Sequence, residues 1–324
     1  MRAILCKQYG PAEVLELGDI AKPEPRKGKL IIKVHAAEVT KGDCELRSFT
    51  FAVKWFAFPL RLAFGIFRPR NPVLGGYFAG KVESVGEGVE AFKPGDRVFG
   101  SSGFAMGAYA EYIRLSQNAG IAHIPENLSF EDAASVPLGG LNAIHFCMQA
   151  DIKPGDKVLI NGAGGSIGMY ALQISKAYGA HVTAVDAPHK QEAILASGAD
   201  EFIDYTRKPY TSLGKRWNVI IDMVAGSDLE SSLACLEERG RYASANPTFK
   251  KLISANRVFK RTGKKVIVSF AAESKEELSE LANLLREGKI STAVDQVFPM
   301  AEIIEAHKRV EVEARTGCVV VKIP

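Results

Sequence analysis

One stretch near the middle of the chain, residues 157–186, constrains the fold more than any other. It opens with an apolar run at 158–160, long enough for a buried strand, and passes through a glycine-rich turn at 162–168 into a helical pattern that Gly179 ends. A second apolar run at 182–185 follows and stops at Asp186. The order predicts a strand, a tight glycine turn, a helix, a second strand and an acid.

Each part of this stretch suits a dinucleotide. The turn lets backbone approach a diphosphate, the first N–H groups of the helix can hold it, and Gly168 allows helix and strand to pack closely. Asp186 lies 18 residues beyond Gly168, close to the roughly 20 expected for an acid that binds the adenosine ribose. A glycine turn without a ligand would leave Asp186 unexplained. The candidate diphosphate contacts are Ala163, Gly164, Gly165, Ser166, Ile167 and Gly168.

Composition sets broad limits. A chain of 324 residues is expected to form about two domains, and 47% hydrophobic with 24% charged residues is typical of a globular protein. A net charge of +4 by itself indicates neither nucleic-acid nor membrane binding. The N-terminus lacks the long apolar core of a signal peptide, and the five cysteines include no Cys-x-x-Cys pair. We therefore expect reduced thiols and a cytoplasmic location.

Residues 1–122 are predicted to be mostly β. Short apolar runs recur at 3–5, 30–34, 79–85, 97–99 and 108–113, and turn signals such as Tyr-Gly-Pro at 9–11 and Lys-Pro-Gly-Asp at 93–96 separate them. The pattern predicts an irregular barrel or sandwich.

An aromatic segment, residues 48–70, interrupts this β region. Lys54, Pro59, Arg61 and Gly65 break its apolar run, so we expect no membrane span, which needs about 20 apolar residues. Three alternatives stay open: a helical wall packed on the core, an aromatic lid over an apolar pocket, and interfacial contact with a membrane.

Residues 123–271 alternate strand and helix. Candidate strands are 157–161, 181–186, 201–204, 217–222, 240–245 and 265–270, with helices that include 190–197 and 229–238. Six strands with crossovers predict a doubly wound parallel sheet, whose ligands bind beyond the carboxyl ends of the strands. That rule adds Val224, Asn246 and Phe270 to the candidate cofactor contacts.

The C-terminal residues, 272–324, return to another pattern. A helix at 274–287, with a Ser-x-x-Glu start at Ser274 and Glu277, precedes a strand near 294–298, a helix near 300–310 and a last strand at 318–323. We expect this piece to complete the N-terminal domain.

The whole chain resembles the zinc-independent medium-chain dehydrogenases/reductases of the quinone-oxidoreductase type. The motifs that carry the resemblance are Tyr-Gly-Pro at 9–11, Pro-Gly-Asp-Arg-Val at 94–98, Gly-Ala-Tyr-Ala-Glu-Tyr at 107–112, Pro-Leu-Gly-Gly-Leu at 137–141, and Gly-Asp at 155–156 through Gln-x-x-Lys at 173–176. The resemblance implies a GroES-like catalytic domain around a central Rossmann domain, a bound nicotinamide dinucleotide and often a homodimer. Ser166, Asn142 and Tyr77 stand where family members usually carry glycine, threonine and an acid.

The same resemblance implies that a catalytic metal is missing. Zinc-dependent relatives place their ligands where this chain has Thr40, the pair Gly76 and Tyr77, and a position near Gly139. None of these side chains replaces Cys, His or a carboxylate as a zinc ligand. We expect no metal in the site.

Without a Lewis acid, acceptors that already carry an electron-poor π system are the easier substrates. We therefore expect hydride transfer from NAD(P)H to a quinone or an α,β-unsaturated carbonyl, a small apolar or aromatic molecule. Tyr77 is a candidate proton donor or an aromatic pocket wall, and Thr40 and Asp43 belong to the family's active-site loop, which Asp43 is expected to hold. Asn142 is expected near the nicotinamide ribose.

The cofactor preference and the activity class both have alternatives. Asp186 favours NAD because a carboxylate accepts from a 2′-hydroxyl and repels a 2′-phosphate, whereas Lys190, next to His189, would bind a phosphate if Asp186 moved away. NAD(H) receives a slight preference. The alternatives to a quinone or enone reductase are a zinc-free alcohol dehydrogenase and a non-catalytic NAD(P)H-binding redox sensor.

Overall fold

The structure is a computed structural model that describes residues 1–51, 54, 57–245, 249–269, 271 and 274–324, with only the backbone of 249–254 and 256. The chain divides into two compact units. Unit 1 comprises Met1–Leu138, Glu273–Arg286 and Thr292–Pro324, and unit 2 comprises Gly139–Ala272 and Glu287–Ser291. The sequence-based boundary lay at 122/123, so residues 123–138 belong with the N-terminal unit in this division.

The strands follow one another along the chain in this order: β1 (Arg2–Cys6), β2 (Leu15–Asp19), β3 (Lys29–Val39), β4 (Tyr77–Val85), β5 (Arg97–Ser101), β6 (Tyr112–Ser116), β7 (Ile121–His123), β8 (Lys157–Asn161), β9 (His181–Asp186), β10 (Glu201–Asp204), β11 (Trp217–Asp222), β12 (Leu236–Ser244), β13 (Lys265–Val268), β14 (Val294–Pro299) and β15 (Cys318–Lys322).

The α-helices are α1 (Lys41–Ser48), α2 (Ala57–Phe64), α3 (Phe130–Ala134), α4 (Val136–Gln149), α5 (Ser166–Ala177), α6 (Gln191–Ala196), α7 (Leu229–Ala234), α8 (Phe249–Thr262), α9 (Lys275–Arg286) and α10 (Ile303–Glu311). Single 3₁₀ turns lie at Ala12–Val14, Gly103–Ala105, Pro188–Lys190, Tyr210–Ser212 and Met300–Glu302. In the part of the chain that the structure covers, no helix combines the length and the apolar character that crossing a bilayer demands.

Unit 1 is built on a mostly antiparallel sheet. The strand order is β14-β15-β3-β4-β5-β7, with β6 paired to β3, and a separate β1-β2 hairpin completes the β structure. β14 and β15 are the parallel pair, and β15 runs antiparallel to β3. The C-terminal residues therefore add strands to the N-terminal sheet, as the sequence predicts. An apolar core of side chains such as Phe78, Val98 and Val319 lies inside this unit.

One apolar run of the predicted β region, at 108–113, is regular strand only in its last residues. Gly107 has a positive φ of 102°, which turns the chain there. The N–H groups of Gly107 and Tyr109 donate to Leu74 O, and the N–H group of Ala108 donates to Gly75 O, so residues 107–109 bond to the loop at 74–75. Regular pairing starts only at Tyr112, in β6. The apolar run is buried because it packs against the loop at 74–75, which sequence periodicity does not reveal.

Unit 2 is the predicted doubly wound domain. Its sheet is parallel, with the order β10-β9-β8-β11-β12-β13. Numbered from β8, this is the 3-2-1-4-5-6 order of a dinucleotide-binding fold. The register places Asp222 opposite both Asn161 and Ser244. The three neighbouring strands β8, β11 and β12 thus end at the same level, and the loops that follow them share one edge.

The predicted helix at 229–238 is too long. α7 ends at Ala234, and β12 already begins at Leu236, which pairs with Trp217. The Trp217 N–H donates to Cys235 O, which ends the helix and starts the ladder. Buried Trp217 and Leu236 share one apolar cluster, so tertiary burial outweighs the helical propensity of Leu236–Glu238 in this segment.

The five cysteines, all within described residues, are buried free thiols.

Candidate functional site

The glycine turn of unit 2 presents an uncapped helix start. β8 ends at Asn161, Gly162 turns the chain with a φ of 85°, and α5 begins at Ser166 with Gly165 as its N-cap. Among the residues that the structure covers, no side chain caps this helix. The first N–H groups of a helix have no partner within it. Here they belong to Ser166, Ile167 and Gly168, and they suit an anion.

Gly168 is required by close packing. A Cβ built there would lie 2.1 Å from Gly162 O and 2.7 Å from Ala163 Cα. Both contacts are with backbone, so a side chain would push the helix away from the turn. A Cβ on Gly165, in contrast, would meet its nearest neighbour, Gly162 O, at 3.7 Å. The sequence predicts this packing role for Gly168, and the structure supplies the contacts.

Asp186 is held in place at the end of β9. Its Oδ2 accepts the Gly164 N–H at 2.7 Å, and its Oδ1 accepts the Ala187 N–H at 2.8 Å. Lys190 Nζ lies 3.4 Å from the same Oδ1, and both side chains are buried. A Cβ on Gly164 would be only 2.5 Å from Lys190 Cδ. The carboxylate and the ammonium therefore form one buried ion pair beside the glycine turn, which the sequence does not reveal.

A second buried carboxylate organises the loop after β11. Asp222 is fully buried and accepts from Asn161 Nδ2 at 3.0 Å and from the Val224 N–H at 3.1 Å. The hydroxyls of Ser227 and Tyr242 also donate to it, and burial raises the pKa of Tyr242. This arrangement connects the ends of β8, β11 and β12. It holds Val224, a sequence-predicted contact, on an exposed loop at the edge where ligands of such sheets bind.

Asn142 lies on the face of α4 that meets the glycine turn. One helical turn earlier, a Cβ on Gly139 would lie 2.8 Å from Ser166 O, so α4 and the start of α5 are in close contact. Residues three apart share a helix face, so Asn142, which is half-buried, lies on the same side. One turn later, His145 Nε2 lies 2.9 Å from Ser269 Oγ. His145 and Ser269 are absent from the sequence-based candidates, because a lone histidine in an apolar helix gives no signal.

Two predicted cofactor contacts, Asn246 and Phe270, lie outside the described residues. Their described neighbours lie at the carboxyl ends of β12 and β13. The Ala245 N–H donates to Asp222 O at 3.2 Å, and Ser269 directly follows β13.

In unit 1, Thr40 and Asp43 form a capping box at the start of α1. The Asp43 N–H donates to Thr40 Oγ1 at 3.0 Å, while the Thr40 N–H and hydroxyl donate to Asp43 Oδ2 at 3.0 and 2.7 Å. Asp43 Oδ1 accepts the Gly75 N–H at 3.2 Å. Both side chains are buried. Their hydrogen bonds are used inside the protein and join the start of α1 to the loop at 74–76. The segment expected as an active-site loop at Thr40 and Asp43 is therefore the first turn of a helix.

Asp43 belongs to a larger buried group that sequence reasoning missed. The Tyr109 hydroxyl lies near the Asp43 carboxylate and donates to Glu38 O at 3.3 Å. Burial raises the pKa of Asp43, although bonds from Thr40, Tyr109 and Gly75 oppose the shift, and burial raises the pKa of Glu38 well above its ordinary range. Glu38 Oε2 has no hydrogen-bond partner in the described protein. Only tertiary structure brings these residues together.

Tyr77 is the first residue of β4 and is half-buried. Its backbone pairs with Ser101, and Gly75 and Gly76 precede it. Its position places it on unit 1, next to the loop that Asp43 holds through Gly75.

The donor set does not fit a catalytic zinc. Thr40 is engaged with Asp43, and Gly76 and Gly139 carry no donor atoms on a side chain. Across the described ranges, no group of three or more His, Cys, Asp or Glu side chains is arranged to hold a metal ion. The glycine turn, in contrast, fits a dinucleotide, because its helix start is uncapped and its glycines leave backbone exposed to a diphosphate.

Comparison with known proteins agrees with this architecture. The family model "Alcohol dehydrogenase GroES-like domain" matches residues 26–126, and "Zinc-binding dehydrogenase" matches residues 197–321. The quinone oxidoreductase of Homo sapiens is 30% identical over 323 residues, which cover 96% of this chain and 94% of that protein. A quinone oxidoreductase structure from Coxiella burnetii is 32% identical, with a TM-score of 0.86 over 100% of this chain and 99% of that one.

A structure described as an NAD-dependent alcohol dehydrogenase is 29% identical and has a TM-score of 0.85, with all of both chains covered. The two halves of the fold, the glycine turn and these relatives lead to one conclusion. The chain belongs to the medium-chain dehydrogenase/reductase family and is an oxidoreductase similar to the quinone oxidoreductases.

Proposed function

We propose that the protein is a zinc-free, cytoplasmic NAD(P)H-dependent reductase, active as a homodimer, that transfers hydride to a quinone or to an α,β-unsaturated carbonyl. The observation that carries the proposal is the glycine turn with its uncapped helix start and Asp186 beside it. Quinone oxidoreductases at about this level of identity support the acceptor class. The lack of zinc donors at Thr40, Gly76 and Gly139 supports a reaction that needs no Lewis acid.

The residues of unit 2 bind and orient the cofactor in this proposal. The N–H groups of Ser166, Ile167 and Gly168 hold the diphosphate, and Ala163, Gly164 and Gly165 let it approach the backbone. Val224, Asn142, Asn246 and Phe270 remain proposed contacts along the cofactor. When bound, the reduced nicotinamide supplies the hydride.

Asp186 favours NADH over NADPH. Two backbone N–H groups hold its carboxylate in place, so a 2′-phosphate could not displace it without breaking both bonds and the contact with Lys190. Its remaining lone pairs accept from a 2′-hydroxyl. Lys190 weakens the preference for NADH, because its buried ammonium offsets the negative charge of the Asp186 carboxylate.

Tyr77 is the proposed proton donor. Reduction of a quinone adds a hydride and leaves an oxyanion, which must gain a proton; the Tyr77 phenol donates it and regains one from water, since the side chain is half-exposed. Thr40 and Asp43 act as positioning residues through the capping box. We expect Tyr77→Phe to lower kcat about 100-fold or more with little change in KM. Unchanged kcat would leave Tyr77 as a wall of the pocket.

The first experiment is a reductase assay after dialysis against EDTA. Loss of reduced-nicotinamide absorbance is followed with NADH and NADPH separately and an ortho-quinone as acceptor. Turnover that survives EDTA, with NADH preferred, supports the proposal. Activity lost to EDTA and restored by zinc contradicts it, and failure to bind either cofactor contradicts the dinucleotide site itself.

Asp186→Asn tests the basis of the preference. We expect it to reduce the NADH-over-NADPH ratio of kcat/KM about tenfold, because the repulsion between the carboxylate and a 2′-phosphate is lost, and about 1.4 kcal/mol corresponds to a factor of ten. Asp151→Asn, an exposed carboxylate of the same unit, is the matched control and should leave the ratio unchanged.

An alcohol dehydrogenase is the second candidate. The structure described as an NAD-dependent alcohol dehydrogenase, with 29% identity over the full chain, favours it. Oxidation of primary alcohols with NAD⁺, faster than quinone reduction, would select this alternative. Cofactor binding with no turnover on quinones, enones or alcohols would select a redox-sensing protein.

A further inference from the structure

A short apolar helix of unit 1 has no buried residue. α2 has the sequence Ala-Phe-Pro-Leu-Arg-Leu-Ala-Phe, with Arg61 as its one charged residue, and none of its residues is buried. A helix that is apolar around most of its circumference is normally enclosed by other elements. This helix therefore presents an apolar surface that the described part of the chain leaves exposed.

Five large exposed apolar side chains lie on two neighbouring segments of unit 1. Phe58 is 75% exposed, Phe67 is 90% exposed and Phe104 is 85% exposed, with Leu62 and Ile66 between them. The turn that carries Phe104 lies against this region, because the Phe64 and Phe104 ring centroids are 6.0 Å apart and Asn71 Nδ2 donates to Ala105 O at 2.9 Å. We call Phe58, Leu62, Ile66, Phe67 and Phe104 the aromatic surface. Large exposed apolar patches of this kind mark sites of interaction.

The backbone beneath the aromatic surface is tied to unit 1. The Arg61 guanidinium stacks 3.9 Å above the Phe49 ring and donates to Ile66 O at 2.6 Å. The Tyr9 hydroxyl donates to Gly65 O at 2.7 Å, and Phe64 packs on the core. These contacts fix the backbone of the segment at 61–66 on unit 1, while the side chains of the aromatic surface stay exposed.

The segment that carries most of the aromatic surface has charged side chains of one sign. No Asp or Glu occurs between Glu45 and Glu83, whereas exposed Lys54, Arg68 and Arg70 lie in that stretch. Cations beside exposed Phe and Leu side chains are typical of elements that rest in the interface of a bilayer with anionic lipids. The aliphatic stems of Arg68 and Arg70 can lie along the acyl boundary while the guanidinium groups reach the headgroups.

We propose that the aromatic surface, with Lys54, Arg68 and Arg70, docks unit 1 onto an anionic lipid bilayer, with Phe58, Leu62, Phe67 and Phe104 inserted at the level of the headgroups. Charge complementarity selects this occupant. A second copy of the chain would bring the same cations against one another if the contact were symmetric. The inference is independent of the proposed reductase activity, since it concerns only where the protein binds.

Vesicle sedimentation tests the proposal with the full chain. Vesicles of phosphatidylcholine alone are compared with an equal mixture of phosphatidylcholine and phosphatidylserine. We expect binding to the mixed vesicles, weak binding to phosphatidylcholine, and release at high salt. Phe58→Ser/Phe67→Ser should lower the vesicle partition coefficient about tenfold or more, because two apolar side chains leave the interface. Arg68→Gln/Arg70→Gln should lower it about fivefold for each cation removed.

The controls separate docking from misfolding and from other occupants. Val312→Ser removes an apolar side chain that is 67% exposed elsewhere on unit 1 and should leave the partition coefficient unchanged. Phe104→Ser, in a separate turn, provides a second test if the double variant fails to fold. Absence of binding by the native chain to phosphatidylserine vesicles, or equal binding by the Phe variants, overturns the proposal.

Two other results would also overturn it. One is a homodimer that the Phe variants convert to monomer in sedimentation velocity while vesicle binding is absent. The other is a changed KM for a water-soluble quinone without vesicle binding, which would make the aromatic surface a lid over the substrate.

Discussion

Gly168 has no side chain, and this lets α5 lie close to the turn that follows β8. A methyl group at this position would meet Gly162 O at 2.1 Å and Ala163 Cα at 2.7 Å, and backbone cannot rotate aside as a side chain can. We expect Gly168→Ala to lower the free energy of unfolding by about 1–3 kcal/mol, the usual range for overpacking. It should also weaken binding of NADH, because α5 moves relative to the turn. Urea unfolding and NADH fluorescence titration measure the two effects.

Gly165→Ala is the matched control for Gly168→Ala. Its Cβ would lie 3.7 Å from Gly162 O, an ordinary contact, and its φ of −81° suits alanine. Stability should change by less than about 0.5 kcal/mol. Equal losses of stability in the two variants would contradict the packing argument for Gly168.

His307 is another residue whose surroundings decide its chemistry. It is fully buried on α10, with Cys44 Sγ 3.3 Å and Arg47 Nη1 3.5 Å from its Nδ1. The Tyr109 ring stands edge-on at 5.9 Å, and the His307 Nε2 has no partner in the described protein. Burial, aided by the Arg47 charge, lowers the pKa of His307 from 6.5 to about 3. The folded protein therefore keeps this imidazole neutral.

Acid should destabilise the protein in part through His307. In the unfolded chain, His307 is protonated below about pH 6.5, whereas in the folded protein it stays neutral down to about pH 3. Between these two pH values protons bind preferentially to the unfolded chain, so the free energy of unfolding falls as the pH is lowered. We expect about 2–3 kcal/mol of this loss between about pH 6 and pH 4. His307→Gln should remove that part of the slope in urea unfolding, whatever its effect on stability at neutral pH. His189→Gln, at an exposed site, should retain the full slope.

Among the elements, α1 depends on its capping box. Thr40 and Asp43 satisfy each other's backbone N–H groups, and Asp43 also binds the Gly75 N–H. We expect Thr40→Ala to lower the free energy of unfolding by about 1 kcal/mol, the usual cost of a lost N-cap. Thr40→Ser keeps the hydroxyl and should cost much less. If Thr40→Ala preserved stability but abolished kcat, a direct catalytic role for Thr40 would replace the positioning role.

For the whole molecule, the division into two units has a measurable consequence. The proposed cofactor contacts lie in unit 2, so ligand binding should protect that unit first. At a concentration about 100-fold above its Kd, NADH should raise the free energy of unfolding by about 2.7 kcal/mol. Hydrogen exchange should show the largest slowing at amides 162–168 and 186–190. Slowing confined to unit 1 would contradict the assignment of the site.

The parts of the fold that could be predicted from sequence are those with a local signal, such as a short apolar run or a capping box. Four of the six predicted strands of unit 2 match the structure to the residue, because buried parallel strands are short apolar runs between turn signals. β12 starts four residues before its predicted start, and β13 ends two residues before its predicted end. The capping box at Ser274 and Glu277 is present, with the Glu277 N–H donating to Ser274 Oγ at 3.1 Å. The errors, at 108–110 and 236–238, fall where contacts with distant segments outweigh local propensity.

The architecture, the glycine turn and the place of Asp186 can be predicted from sequence, because they depend on spacing and on residue types within a few neighbouring turns. Which groups meet depends on the tertiary structure. It pairs Asp186 with Lys190, places Asp43 and Tyr109 beside Glu38, and sets His145 against Ser269. It also leaves α2 exposed, although its composition equally suits a buried helix. Burial and proximity depend on the path of the whole chain, which local pattern does not contain.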